Sequence, residues 1–356
     1  MIKLLIVDDS ALMRRQLTTL FERERDFEIR QARNGAEAVT ANTEFAPDVV
    51  TLDINMPEMD GLTALSLMMA QRPVPVVMVS SLTEEGALVT LEALNLGAID
   101  FAAKPGGTIS LSIEAIAAQL ITKVRSAASA RLKPARRSPG TVRPPAMIKA
   151  ATRSVSPDPA TPGFARPGVV VIGVSTGGPR TLSDILPTLP ATFPWPVLVA
   201  QHMPAAFTKS FAQRLDSICP LQVVEVSAPM PIQPGTIYLG KGGTDMVVTV
   251  RVGRRMVAPQ PSSPRHAWHP SVELLGRSVL AHIDPARVAA VMLTGMGHDG
   301  SDAFAEIRRR GGKTIAESED SAVVFGMPKE LIDRGGASLV LAADKIPAQL
   351  GLWAGQ

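Results

Sequence analysis

Short apolar runs recur along this chain, and each ends in polar residues that precede a stretch with helical periodicity. In the first 125 residues the predicted strands are 4–7, 27–32, 48–52, 75–79 and 99–103, of which 27–32 mixes apolar and polar residues. The pattern returns after residue 168, in the runs 169–174, 196–201 and 288–293, with a last strand predicted near 313–316 and helices predicted at about 205–218 and 270–282. Strands that alternate with helices at this spacing form parallel sheets covered by helices on both faces. We therefore predict an α/β protein with two doubly wound parallel-sheet domains.

The composition changes between the two halves. Residues 126–167 contain eight Pro, eight Lys or Arg and one Asp, with almost no apolar periodicity. Such a segment is typical of an extended, semi-rigid linker. We therefore predict domains at 1–125 and 168–356, joined by a linker at 126–167. The linker carries a net charge of +7, so the rest of the chain carries −4 of the overall +3. This distribution argues against a basic DNA-binding face.

The remaining composition excludes several classes of protein. Aromatic residues make up only 4% of the 356 residues, too few for a platform that stacks single-stranded nucleic acid. The single Cys219 excludes an internal disulfide framework. No apolar run approaches the length of about 18 residues that a membrane helix needs, and no signal peptide precedes Met1. We expect a cytoplasmic protein that does not insert into membranes and binds no nucleic acid.

Polar side chains follow the strands predicted in the first half. Ligand sites of parallel sheets lie at the carboxyl ends of the strands. The residues at these ends are Asp8, Asp9, Asp53, Ser80 and Lys104. Three converging carboxylates repel one another unless a hard divalent cation lies between them, and Mg²⁺ prefers oxygen ligands. The sequence therefore predicts a Mg²⁺ site at which one carboxylate accepts a phosphoryl group, with Lys104 and Ser80 close to it.

Residues 1–125 resemble a response-regulator receiver domain. The matching motifs are Val7-Asp8-Asp9-Ser10, Asp53-Ile54-Asn55-Met56-Pro57, Met59-Asp60-Gly61, Ser80-Ser81 and Lys104-Pro105. The resemblance implies that Asp53 is the phosphoacceptor and that a histidine kinase is the phosphodonor. It also implies that Asp8, Asp9, Asp53 and the carbonyl of Asn55 surround Mg²⁺, that Ser80 and Phe101 are switch residues, and that Lys104 contacts the phosphoryl group.

The second half contains a glycine-rich turn after the strand 169–174. Gly173-Val174-Ser175-Thr176-Gly177 fits the G-x-S-x-G pattern of a nucleophile elbow, which lifts Ser175 out of the sheet. An ordinary serine in a glycine turn, or a phosphate-binding turn of a dinucleotide site, also fits the pattern. A dinucleotide site requires an acidic residue near the end of the next strand. That strand ends instead in Gln201-His202, which favours a hydroxyl paired with a base.

Three residue types typical of serine hydrolases follow predicted strands: Ser175, His202 and Asp299. If these strands are neighbours, the three side chains supply a nucleophile, a base and a carboxylate that orients the base. The order Ser-His-Asp differs from that of α/β-hydrolases, chymotrypsin and subtilisin. His298 is an alternative base, but its position beside Asp299 directs it elsewhere, so we favour His202. No histidine spacing indicates a metal, and we expect no cofactor for this chemistry.

The whole chain resembles the chemotaxis protein-glutamate methylesterase, or CheB-type, family. The catalytic motifs are Ile172–Pro179, Gln201–Pro204, Pro270–Val272, Leu293–Gly300 and Ser321–Pro328. The resemblance implies that Ser175 is the nucleophile, His202 the base and Asp299 its orienting carboxylate, with the N–H of Met296 as a candidate oxyanion donor. The implied reaction hydrolyses glutamate γ-methyl esters on chemoreceptors to release methanol, and it can also deamidate receptor glutamines. In this family the unphosphorylated receiver covers the active site, and phosphorylation of Asp53 removes that block.

Two other hypotheses have to be compared with this one. A transcription regulator needs a helix-turn-helix or a basic recognition helix, and the second half has neither. A pseudo-enzyme that only binds the kinase or the receptor is disfavoured because all three triad residue types are present at strand ends. We expect a monomer.

Overall fold

The computed structural model describes residues 1–80, 83–104, 109–130 and 168–355. The predicted linker therefore lies outside the described residues from 131 onward. Helix α5 continues to Ala128, three residues past the boundary predicted at 125. The proposed domain boundaries otherwise remain predictions. Among the described residues, no helix combines the length and the apolar character that crossing a membrane requires.

The first half forms a five-stranded parallel sheet with the strand order β2-β1-β3-β4-β5. Its strands are β1 (Ile2–Val7), β2 (Phe27–Ala32), β3 (Val49–Asp53), β4 (Val76–Ser80) and β5 (Asp100–Ala103). Its helices are α1 (Ala11–Glu22), α2 (Gly35–Glu44), α3 (Gly61–Gln71), α4 (Glu84–Leu96) and α5 (Ile109–Ala128). The central strands β3 and β4 are buried along their whole length because helices cover both faces of the sheet. Ser10 caps α1, since its hydroxyl accepts a hydrogen bond from the N–H of Met13 at 3.3 Å.

The second half contains a seven-stranded sheet with the order β15-β14-β13-β6-β7-β10-β8, in which every pairing is parallel. Its strands are β6 (Val169–Val174), β7 (Val197–Gln201), β8 (Gln222–Val226), β10 (Thr236–Gly240), β13 (Val288–Met292), β14 (Lys313–Glu317) and β15 (Leu339–Leu341). A separate antiparallel sheet consists of β9 (Met230–Pro231), β11 (Thr244–Arg251) and β12 (Arg254–Pro261). The helices are α6 (Gly178–Ile185), α7 (Ala205–Ile218), α8 (Val272–His282), α9 (Ser301–Arg309), α10 (Met327–Asp333) and α11 (Ile346–Ala354).

Two details of the second half differ from the sequence prediction. The strand at 313–316 is not the last one, because β15 follows it. The residues of β15 are apolar, but the strand is only three residues long and none of them is fully buried. The helix predicted from Pro270 begins at Val272. Ser271 stays in an extended conformation and caps that helix, accepting a hydrogen bond from the N–H of Leu274 at 3.2 Å.

The two domains pack directly against each other. Helix α4 of the first domain lies against α6 and α7 of the second. Phe101 of β5 contacts Phe207 of α7, with ring centroids 4.3 Å apart, and Val323 packs against the apolar core of the first domain. The boundary between the two domains is therefore largely apolar at these contacts.

Candidate active site

Ser175 lies immediately after β6, at a turn that two glycines make possible. Gly177 adopts a φ of +79°, in the left-handed region that favours glycine, and α6 begins at the next residue. Gly295 lies so close to the turn that a Cβ there would come within 2.7 Å of the Cβ of Ser175. The N–H of Ser175 donates to the carbonyl of Thr294 at 2.9 Å, which holds the two glycine-rich loops together.

The strands that carry the three candidate side chains are neighbours, as the sequence hypothesis required. β6 lies between β13 and β7, and Val174 pairs with Gln201. The N–H of His202 donates to the carbonyl of Val174 at 3.1 Å, so His202 and Ser175 leave the sheet side by side. Asp299 follows β13 in the second glycine-rich loop. The three residues therefore meet at one edge of the sheet.

Asp299 is buried and accepts four hydrogen bonds. Its Oδ2 accepts from His202 Nε2 at 2.8 Å and from the N–H of Val272 at 2.7 Å. Its Oδ1 accepts from Ser271 Oγ and from the N–H of Glu273, both at 3.0 Å. Burial opposes the charge, but the hydrogen bond from His202 and the amides at the start of α8 outweigh it and lower the pKa of Asp299. Asp299 is therefore a carboxylate fixed at a helix N-terminus.

His202 presents one ring nitrogen to this carboxylate and leaves the other available. Because the ionised Asp299 can only accept, Nε2 is the donor of this hydrogen bond, and in the neutral tautomer Nδ1 is the acceptor. Nδ1 is buried and has no partner among the described residues. No hydrogen bond between the side chains of Ser175 and His202 is present in the described structure, and such catalytic hydrogen bonds are often long before substrate binds.

His298 does not take the position of a base. Its side chain is exposed and meets Trp268 edge-on, with centroids 5.9 Å apart and an angle of 87° between the rings. Trp268 in turn stacks on His202. The geometry therefore favours His202, as the sequence argument did.

Three polar residues that the sequence analysis did not select hold the turn in place. Gln201 Nε2 donates to the carbonyls of Ser175 and His202, each at 3.0 Å. Thr294 Oγ1 donates to the carbonyl of Thr176 at 2.8 Å. The N–H of Thr294 donates to the buried Glu317 at 2.8 Å. Gln201 and Glu317 end strands and Thr294 follows one, so the rule that selected Ser175 and Asp299 could have found them.

Met296, the candidate oxyanion donor, follows Gly295 in the second glycine-rich loop. No described group accepts a hydrogen bond from its backbone N–H. Its side chain is contacted by the first domain, since Ser126 Oγ of α5 lies 2.7 Å from Met296 Sδ. The residue beside the nucleophile is contacted in the same way, because Thr176 Oγ1 donates to Asp100 Oδ2 of β5 at 2.8 Å.

The acidic site of the first domain also has the predicted arrangement. Oxygen atoms of Asp8, Asp9 and Asp53 lie within 4.8 Å of one another. Lys104 Nζ lies 2.7 Å from Asp53 Oδ2 and 2.9 Å from Asp8 Oδ2. Burial raises the pKa of Asp53 despite this ammonium group, whereas hydrogen bonds with Asp53 and Asp8 outweigh burial and raise the pKa of Lys104. Three hard oxygen ligands so close together fit Mg²⁺, which would favour the charged form of Asp53.

The other predicted receiver residues lie around this cluster. Asn55 is exposed and lies two residues beyond Asp53, and the role of its carbonyl as a Mg²⁺ ligand stays a prediction. Ser80 is buried at the end of β4, and its hydroxyl lies 3.4 Å from the carbonyl of Gly86 in α4. Phe101 is buried against Phe207, so this predicted switch position touches the second domain.

Fold and sites together define a class: a two-domain α/β protein that joins a receiver-type acidic site to a serine-hydrolase-type site. Residues 4–115 match the response regulator receiver domain model, and residues 170–350 match the CheB methylesterase model. The chain is 54% identical to protein-glutamate methylesterase/protein-glutamine glutaminase 3 of Rhodospirillum rubrum, over 99% of this chain and 96% of that protein. It is 48% identical to a second protein of that name, number 2 of Rhodopseudomonas palustris, over 99% and 98% of the two chains.

A solved structure agrees with these sequence matches. The crystal structure of the Thermotoga maritima CheB methylesterase catalytic domain is 40% identical and superposes with a TM-score of 0.51, covering 53% of this chain and 99% of that one. The chain therefore belongs to the CheB methylesterase family.

Proposed function

We propose that this chain is a phosphorylation-activated protein-glutamate methylesterase that acts on chemoreceptors in the cytoplasm, as a monomer. The observation that carries the proposal is the meeting of Ser175, His202 and Asp299 at adjacent strand ends, with His202 held on the carboxylate at 2.8 Å. The names of the relatives support the substrate, a glutamate γ-methyl ester. The same names support a second activity, the deamidation of glutamine, which needs the same acyl transfer and releases ammonia in place of methanol.

The mechanism follows from the positions of these groups. Ser175 Oγ attacks the γ-carbonyl carbon while His202 Nδ1 takes its proton, and Asp299 stabilises the imidazolium that forms. We assign the stabilisation of the oxyanion to the N–H of Met296, which donates to no group among the described residues. The imidazolium returns its proton to the departing methoxide, so methanol leaves and an acyl-serine remains. Water, deprotonated by His202, then releases the glutamate carboxylate and restores Ser175.

The contacts between the domains support autoinhibition by the receiver. Asp100 and Ser126 of the receiver contact Thr176 and Met296, which flank the nucleophile and carry the candidate oxyanion donor. A receptor segment that reaches Ser175 has to approach these two residues, so we expect receptor and receiver to compete for this surface. The two domains belong to one chain, so the effective concentration of the receiver is high and even a weak interface keeps the site closed.

Phosphorylation can weaken this interface through β5. Mg²⁺, when bound, neutralises charge on the carboxylates and on the incoming phosphoryl oxygens. Lys104 follows β5 and already contacts Asp53, and Ser80 lies at the end of the adjacent strand β4. Contacts of both residues with a new phosphoryl group would move the end of β5, and Phe101 in that strand would shift against Phe207. The closed and open arrangements then change population.

Removing the receiver is expected to raise methanol release from methylated receptor membranes. A chain that starts after residue 130 lacks both Asp100 and Ser126, so Thr176 and Met296 are free. We expect initial rates about tenfold or more above those of the unphosphorylated full-length chain, because the tethered block is lost. If the truncated and full-length chains are equally fast, the receiver does not inhibit sterically.

The control for this experiment is Asp53→Ala in the full-length chain. It keeps the interface but has no phosphoacceptor, so its rate should stay low with and without a small-molecule phosphodonor. A response to the donor would show that another residue is the acceptor. Failure of every variant to release methanol would instead support a pseudo-enzyme.

Asp100→Ala is expected to activate the unphosphorylated chain without altering the second domain. Asp100 accepts from Thr176 Oγ1 at 2.8 Å and pairs with Lys123 at 2.7 Å, and a buried hydrogen bond to a charged group contributes about 1.5–3 kcal/mol. Its loss should therefore raise basal methanol release roughly tenfold or more. The matched control is Asp48→Ala, since Asp48 is a receiver carboxylate that accepts from the N–H of Lys3. Equal rates in both variants would contradict a role for the Asp100–Thr176 contact.

A further inference from the structure

We propose that Trp268 is a positioning residue for the esterase reaction, holding the plane of His202 and stabilising its protonated form. The inference rests on the proposed function, in which His202 is the base. The two rings stack nearly parallel, with centroids 5.6 Å apart and an angle of 6° between their planes. The indole therefore presents its π face to the imidazole.

The loop that carries Trp268 is anchored at a buried carboxylate. Asp245 is fully buried, and its carboxylate oxygens accept from His269 Nδ1 at 2.9 and 3.0 Å. The same carboxylate accepts from the N–H of Ser271 at 2.7 Å. Asp245 therefore fixes both His269, the neighbour of Trp268, and Ser271, the cap of α8. Because Asp299 is bonded to the start of the same helix, this arrangement positions the indole relative to Asp299.

The remaining faces of the indole are also occupied. His298 meets it edge-on, and the Cα of Gly297 lies close enough that a Cβ there would be 3.0 Å from the ring. His202 therefore has the indole on one face and Asp299 at Nε2, which leaves Nδ1 as the nitrogen available to Ser175. A ring held in this way loses little entropy when the nucleophile is deprotonated.

The stack also acts on charge. When His202 takes the proton of Ser175 it becomes a cation, and a cation within about 6 Å of an aromatic centroid is stabilised by the ring. The titratable groups around the stack are Asp299 on His202, His298 on the indole, His266 near Ser271, and the pair of His269 with Asp245. All of them are retained when only Trp268 is changed, so the contribution of the indole can be measured separately.

The test compares Trp268→Leu with Trp268→Phe in the full-length, donor-activated chain, using methylated receptor membranes between about pH 5 and 9. We expect Trp268→Leu to lower kcat roughly three- to thirty-fold with little change in KM. We also expect it to move the acid limb of the kcat/KM profile about half a unit or more to lower pH, because the cationic ring is less stabilised. Trp268→Phe, which keeps an aromatic face, should restore most of both values. The matched control Trp195→Leu removes an indole that packs beside Gly168, and it should leave the pH profile unchanged.

Two results would overturn the inference. One is a Trp268→Leu chain with unchanged kcat and an unchanged acid limb. The other is an equal loss of activity in the Leu and Phe variants with no movement of the acid limb, which indicates a purely structural role. His202→Ala is measured in parallel. If His202→Ala retains activity, the assignment of His202 as the base is wrong, and if the donor-activated parent chain releases no methanol, the proposed function is wrong. Neither result coincides with a failure confined to the Trp268 variants, so the failures are distinguished.

Discussion

Ser175→Ala is expected to reduce methanol release by about 10⁴-fold or more while the protein stays folded. The reaction needs an acyl-serine, and the other hydroxyl in this turn, that of Thr176, is buried and donates to Asp100. The alanine side chain occupies the space already filled by the Cβ of Ser175, so packing against Gly295 is unchanged. The measurement is the initial rate of methanol release from methylated receptor membranes, with thermal unfolding as the check on folding.

The matched control for this variant is Ser183→Ala in α6. Ser183 Oγ donates only to the carbonyl of Pro179 within the same helix, so the change removes a hydroxyl near the site without touching the turn. Activity should stay within about twofold of the parent, since a surface substitution of this kind changes stability little. A folded Ser175→Ala chain that retains a tenth of the parent activity would exclude Ser175 as the nucleophile.

Asp299→Asn is expected to cost up to about 10⁴-fold in kcat. An amide offers one acceptor where the carboxylate offers two. Oδ1 faces the N–H of Glu273 and Oδ2 faces the N–H of Val272, so the NH₂ group of Asn must oppose a backbone donor in either orientation. If the NH₂ group faces His202, it donates to Nε2 where the carboxylate accepted from it, which favours the wrong tautomer, with the proton on Nδ1. Steady-state kinetics of the full-length, donor-activated chain measure the loss.

The control is His298→Gln, which removes the competing imidazole beside Asp299. His298 is exposed and contacts Trp268 rather than the carboxylate, so its replacement should reduce kcat far less than Asp299→Asn does. If His298→Gln proves as inactive as His202→Ala, the base has to be reassigned.

Much of the fold was predictable because each strand is marked by its own residues. The run 169–174 became β6 and the helix predicted from Ala205 to Ile218 became α7, since continuous β-branched runs and amphipathic periods are local signals. β15 gives a weaker signal, because its apolar run, Leu339–Leu341, is only three residues long. Its three residues are at most partly buried, and its place in the sheet depends on β14 alongside it.

The candidate site was predictable to the extent that it follows one rule, that polar residues after parallel strands meet at one edge. The rule selected Ser175, His202 and Asp299, and it applies equally to Glu317. It could not select Trp268, which lies in a loop whose path is set by the distant Asp245. Nor could it select Asp100, whose partner Thr176 belongs to the other domain and is 76 positions away along the chain.

The shortness of β5 has a consequence for how the two sites can evolve. Asp100 at its start touches the turn of the nucleophile, and Lys104 just beyond its end touches Asp53, so about 13 Å of extended chain joins them. Pairing with β4 fixes the register from Asp100 opposite Val77 to Ala103 opposite Ser80. A single inserted residue would turn every later side chain to the opposite face of the sheet. Divergence within this strand is therefore restricted to substitutions, and a change in its length would separate the phosphorylation site from the enzyme it controls.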